Sequence, residues 1–93
     1  MFTLVWTAHF IHTAEKFKKR HPELKTKLAD VLRNLEKAPF QPHLHYHHLG
    51  GNLKGIQAVS ITDKYRISLT IVISEKEITL LDIGMHNEVY RRK

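Results

Sequence analysis

Tyr65-Arg66-Ile67-Ser68-Leu69-Thr70-Ile71-Val72-Ile73 is the stretch that decides the fold. Tyr65, Ile67, Leu69, Ile71 and Ile73 alternate with Arg66, Ser68 and Thr70, the two-residue period of a strand buried on one face only. Thr62-Asp63 before it and Ser74-Glu75-Lys76-Glu77 after it have turn chemistry. Ile56 to Ile61 and Ile78 to Ile83 are therefore expected as its antiparallel neighbours. Arg66 falls on the polar face of this strand.

Upstream the period changes. From Thr13 onward, Ala14 and Phe17, then Leu24, Leu28, Val31 and Leu35, recur at helical spacing with Lys and Arg between them. Pro22 with Glu23 suits the first turn of a second helix, where a missing N–H costs nothing. Ala38-Pro39 ends that helix, because the residue before proline is pushed out of helical geometry, and Pro42 extends the break. Phe2 to Thr7, with Val5 and Trp6, reads as an opening strand. Three of the four glycines lie in Leu49-Gly50-Gly51-Asn52-Leu53-Lys54-Gly55, a loop entering a strand. The order is β-α-α-β-β-β, an α+β fold in which a helical hairpin covers one face of a small, mainly antiparallel sheet and leaves the other face for function.

At 93 residues the chain has room for a single domain, residues 1–93. Its 42% hydrophobic and 26% charged residues are a globular balance, not that of a disordered chain. Without cysteine there is no disulfide framework, thiolate nucleophile or Cys-type zinc site, and a reducing cytoplasm fits. Met1 to Ala8 is too short for a signal h-region, and no run approaches the roughly 20 apolar residues that span a bilayer, so a soluble protein with no membrane partner is expected. Fifteen Lys and Arg against nine Asp and Glu give a formal charge of +6, which favours a polyanionic partner, either nucleic acid or an acidic protein.

The most unusual stretch is His43-Leu44-His45-Tyr46-His47-His48, with four of the eight histidines. If extended, His43, His45 and His47 share one face at a spacing that suits zinc, copper or nickel. A physiological site also needs a fixed backbone and supporting hydrogen bonds, and no metal or other cofactor is expected here.

Three pieces in order resemble the RelE/ParE toxins of bacterial and archaeal toxin–antitoxin modules. They are Leu49 to Gly55, Tyr65-Arg66-Ile67, and Leu80-Leu81-Asp82-Ile83-Gly84-Met85-His86-Asn87-Glu88-Val89-Tyr90. The resemblance spans nearly the whole chain, and the pairing of His86 with Tyr90 is most similar to the YafQ-type branch of RelE. It implies a RelE-like fold and a metal-independent endoribonuclease that cuts mRNA on the ribosome, by attack of a ribose 2′-OH on the adjacent phosphate. Such chemistry needs a base, an acid and cations beside the phosphorus, and the 2′-OH restricts it to RNA.

On this resemblance the catalytic candidates are His86, Arg66, His47, Tyr90 and Lys54. His86 follows a strand end and Gly84, and imidazole serves as acid or base near neutral pH. A surface histidine without a task is the bland alternative. Arg66 can brace a phosphate through two N–H groups, or be merely solvated. His47 is the expected second catalytic histidine, with His48 one register away, and capping or packing at the loop is the alternative. Tyr90 either stacks on a base and shares proton transfer, or packs the tail onto the core. Lys54 adds charge for the transition state or binds RNA backbone generically. Gln57, Val59 and Ser60 stand where relatives carry further acid–base groups, and Lys64 stands where an aspartate is usual; Asp63 substitutes if the turn shifts by one residue. Lys16, Lys18, Lys19, Arg20, Lys25 and Lys27 suit ribosomal RNA or are a solvated helix face, and Arg91-Arg92-Lys93 reads the same way. A cognate acidic antitoxin that folds on binding is the expected protein partner, with the ribosome and mRNA as targets. A ParE-like poison of DNA gyrase and a non-toxic basic binding module are the alternatives.

Overall fold

Why the alternating stretch forms a strand is visible in what each face meets. The computed structural model describes residues 1–85. Strand β4 (Tyr65–Val72) lies between β3 (Gln57–Ser60) and β5 (Glu77–Met85), antiparallel to both. The expected meander is therefore present. β1 (Thr3–Trp6) pairs parallel to the outer side of β5, and a two-residue strand β2 (His47–His48) pairs antiparallel with β3. The sheet is five-stranded and mixed, in the order β1-β5-β4-β3-β2. β2 extends the expected order, because two residues inside a histidine run carry no period that identifies a strand.

Helix α1 (Ala8–Arg20) begins five residues before the apolar spacing becomes regular at Thr13. The cause is its cap. Thr7 Oγ1 accepts from Phe10 N at 3.1 Å and donates to Leu80 O at 2.8 Å, satisfying an orphan amide and tying the helix start to β5. Pro22 opens a short 3-10 turn (Pro22–Leu24), and α2 (Lys25–Lys37) follows. Phe10, Ala14 and Phe17 from α1 and Leu28, Val31 and Leu35 from α2 pack with Val59, Ile67, Leu69, Ile78 and Leu80 in one buried cluster. No helix among the described residues is long and apolar enough to cross a membrane.

A bulge shapes the functional end of the sheet. Ser68 is paired with Asp82 and Leu69 with Leu80, so Leu81 is extra on β5. In an unbroken strand Asp82 would share the face of Leu80. With the extra residue, Ile83 is paired with the core residue Ile67, and Asp82 is paired with Ser68.

That other face is not bare, which modifies the expectation of a fully open surface. Ala58, next to the core residue Val59 and so on the opposite side, packs with Leu49, Leu53 and Ile56 in a second apolar cluster. The glycine loop makes this possible: Gly51 and Gly55 adopt φ of +60° and +91°, conformations that a side chain disfavours.

Replacing Thr7 by Ala is expected to lower stability by about 1–2 kcal/mol, read from urea unfolding, since the cap and its link to β5 are lost together. Burial holds the Tyr46 phenol above its ordinary value of 10.0. The folded chain then retains that proton where the unfolded chain has lost it, so this contribution to stability is intact below pH 10.0 and disappears as pH rises through the folded value. The alkaline loss of stability is expected to be smaller in Tyr46→Phe, measured by denaturant titration at increasing pH.

Candidate functional site

Ser60 and Arg66 are cross-strand partners at the closed end of the β3–β4 hairpin. The turn between them is held by Thr62, whose Oγ1 accepts from Lys64 N at 3.2 Å and Tyr65 N at 3.3 Å. The same residue serves the site. Arg66 Nη1 donates to Thr62 O at 3.1 Å and to Ser60 Oγ at 2.8 Å. Arg66 Nε is buried with no hydrogen-bond partner among the described residues. Thus Nη1 braces the guanidinium while Nε is left as an unmet buried donor, and a planar guanidinium fork is the group that suits a bidentate phosphate.

Two histidines reach the same face. Ser60 Oγ already accepts from Arg66, so its own proton is available to His45 Nδ1, 3.5 Å away. His45 adopts a left-handed backbone conformation, φ 54°, at the end of the 3-10 turn Pro42–Leu44. His47 Nδ1 donates to His45 O at 2.8 Å, which makes Nε2 the basic nitrogen of the neutral ring. His47 is paired with Ala58 and Arg66 with Ser60, two residues further along β3. Their Cα atoms are thus roughly 12 Å apart on one face, from the spacings of strands and residues in a sheet.

The histidine run is therefore not extended, and the chelating arrangement of His43, His45 and His47 does not form. His43 Nε2 lies 3.3 Å from Asn34 Nδ2, His45 turns to Ser60, and His47 turns to the backbone. Among the described residues no three His, Asp or Glu side chains converge on a point that would hold a metal ion. His48, the alternative register for His47, lies 3.4 Å from Gln57 Nε2 and packs edge-on against Tyr46.

The other candidates divide. Lys54 is exposed where the glycine loop ends, with no ion pair among the described residues. Asp63 and Lys64 are exposed at the hairpin tip, and neither side chain bonds to Arg66. His86, Tyr90 and Arg91-Arg92-Lys93 lie outside the described residues. The cations of the helices do not form one patch. Lys16 and Arg20 line a cleft beside β5, while Lys18 and Lys25 line an apolar groove between α1 and α2 with Trp6, Ile11 and Leu32. Lys18 is also paired with Glu15 at 3.3 Å. Lys19 and Lys27 are exposed.

Sequence reading missed the part of Ser60, although counting back through the Thr62-Asp63 turn would have placed it opposite Arg66. It also missed a contact between His9 Nε2 and Asp82 Oδ1 at 3.1 Å, which joins residues 73 positions apart and has no local signature.

Solved structures with this architecture include several toxins. YafQ from E. coli superposes with a TM-score of 0.79 at 15% identity, covering 97% of this chain and 99% of that one. A metal-bound toxin from Helicobacter pylori gives 0.77 at 26% identity, over 96% and 99% of the two chains. YoeB in a heterotetrameric YoeB–YefM toxin–antitoxin complex from Staphylococcus aureus gives 0.71 at 14%, over 92% and 98%. This is the RelE/ParE toxin fold. No protein-family model matches the sequence, and no curated protein matches it. Identities this low carry the architecture and leave the chemistry to the site. Within the RelE/ParE fold, the strand arginine with its serine and threonine brace is the part of the site best defined by contacts in this chain.

Ser60→Ala leaves Arg66 Nη1 held only by Thr62 O. A destabilisation of about 1–3 kcal/mol in urea unfolding is expected, the usual cost of removing one partner of a buried polar contact.

Proposed function

We propose that the chain is the toxin of a type II toxin–antitoxin module and acts as an endoribonuclease on mRNA at the ribosome. The observation that carries this reading is Arg66, braced through Nη1 with its Nε edge unengaged, on the sheet face that also bears His45 and His47. In the proposed reaction a base takes the proton of a ribose 2′-OH, and the oxygen bonds to the adjacent phosphorus. The bond from phosphorus to the 5′ oxygen breaks, and an acid protonates the departing oxygen. The products are a 2′,3′-cyclic phosphate and a 5′-hydroxyl end. Arg66 offsets the charge that gathers on the phosphoryl oxygens. His47, basic at Nε2, is a base candidate; His86 and Tyr90 complete the proposed set on the family resemblance alone. Lys54 and the helix cations Lys16, Lys18, Lys19, Arg20, Lys25 and Lys27 are proposed as contacts to RNA backbone. No step of this reaction calls on a metal.

An acidic antitoxin is the proposed protein partner. The S. aureus relative in the comparison is a toxin bound to its antitoxin. In the present chain Trp6 and Ile11 are exposed at the groove between the helices, and Lys18 and Lys25 flank them. An amphipathic acidic segment suits that combination.

The test is mapping of mRNA 5′ ends on translating ribosomes with purified protein. Wild-type protein is expected to cut only in the presence of ribosomes. Arg66→Ala, His47→Ala and His86→Ala are each expected to lower cleavage roughly a hundredfold or more while remaining folded. Arg66→Lys is not expected to restore it, because a point charge does not reproduce a planar fork. Intact message with wild-type protein rejects the reading, and loss of gyrase supercoiling activity would then favour the gyrase alternative.

A further inference from the structure

One side of α1 forms a wall of nitrogen chemistry that the proposed active site does not use. β1 stops opposite Leu80, so among the described residues no strand lies on that side of residues 81–85 of β5, and α1 faces them there. Between them lies a cleft of about 580 Å³, with His9, Lys16 and Arg20 on one wall and Tyr65, Asp82 and Met85 on the other. Its volume is about that of a small-molecule site.

Three features bear on what it takes. Lys16 and Arg20 are both exposed, one helical turn apart, and neither has an ion pair among the described residues. These uncompensated cations suit a phosphate. At the same end, the half-buried rings of His21 and Tyr65 pack 4.8 Å apart, with Phe17 beneath both at 5.0 and 5.2 Å. A braced aromatic pair at the edge of a cleft is a platform for a flat heterocycle.

The third feature is a hydrogen-bonded pair. Asp82, 2% exposed, accepts from Ile83 N at 2.9 Å and lies 3.1 Å from His9 Nε2. A carboxylate there only accepts, so the proton is on Nε2, and in the neutral ring Nδ1 is an acceptor. No described residue bonds to that nitrogen. A ribose hydroxyl supplies the matching donor.

We propose that this cleft is a nucleotide subsite that takes one 5′-phosphorylated ribonucleotide unit of an RNA strand. The phosphate lies on Lys16 and Arg20, the base on Tyr65 and His21, and a ribose hydroxyl on His9 Nδ1. An acidic peptide fits less well, because it has no ring for the platform and brings its carboxylates up to Asp82. The inference rests on the reading of the chain as an RNA-cleaving toxin, and it gives that reading a binding subsite separate from Arg66.

The probe is adenosine 5′-monophosphate, titrated into the full-length protein and followed by amide and side-chain NMR shifts. Shifts are expected at Lys16, Arg20, His21 and Tyr65, with inorganic phosphate binding more weakly. The double variant Lys16→Ala/Arg20→Ala, at exposed positions that leave the core intact, is expected to weaken binding roughly tenfold or more. His9→Ala is expected to abolish the preference for the ribonucleotide over its 2′-deoxy form. Should that variant unfold, the wild-type preference decides alone: equal binding of the two forms overturns the role of His9. Shifts confined to Ser60 and Arg66, phosphate binding as tightly as the nucleotide, or a glutamate-rich peptide displacing the nucleotide from these residues overturns the subsite. mRNA cleavage by the same proteins separates the two claims. Nucleotide binding in the cleft without any cleavage by wild-type protein leaves the subsite standing and rejects the proposed reaction; cleavage without nucleotide binding does the reverse.

Discussion

The ladder between β4 and β5 is the element on which the other parts depend. Its residues Ile67, Leu69, Ile78 and Leu80 are fully buried and form the floor on which both helices pack. Its outer edge receives β1, and its inner edge receives β3. A strand pairing of this kind satisfies backbone groups that burial would otherwise leave without partners. It also fixes rows: because side chains alternate between faces, pairing Arg66 with Ser60 and Gly84 determines which polar groups meet. The single interruption, at Leu81, changes the phase of β5 and lets one strand deliver Leu80 to the core and Asp82 to a polar setting.

Arg66 illustrates how such a floor accommodates a charge. A guanidinium beside a buried core is costly unless its donors are met. Here the hairpin meets part of that demand with a hydroxyl and a carbonyl, both within six residues of Arg66 in sequence. The bracing is local and therefore cheap in chain entropy, since no long loop has to be closed to form it. An arginine held this way changes little when an anion arrives, which is the form of preorganisation that electrostatic stabilisation requires.

The histidines show the opposite behaviour. His43, His45, His47 and His48 lie within six residues of sequence and diverge in space, each meeting a different neighbour. The 3-10 turn at Pro42–Leu44 and the left-handed His45 cause the divergence, because they abolish the alternation that an extended run would have. His9 and Asp82 do the reverse, being distant in sequence and adjacent in the fold. Spacing is informative about chemistry only where the backbone geometry behind it is known.

The amino-acid sequence by itself determined the α+β architecture, the meander around Tyr65–Val72, the break between the helices at Pro22 and the face on which Arg66 lies. Each follows from a short-range rule: a period of two, a period near 3.6, or the conformational limits of proline and glycine. The early start of α1 depended on Thr7 reaching Leu80, and β2 on partners nine and eleven residues away, so neither had a local signature. The brace of Arg66 was nearly legible, since hairpin counting leads to Ser60. The contact of His9 with Asp82, the bulge at Leu81 and the cleft between α1 and β5 were decided by tertiary structure alone. They arise where elements far apart in the chain are brought together by burial of their apolar faces, a force that is non-directional and writes no motif into the sequence.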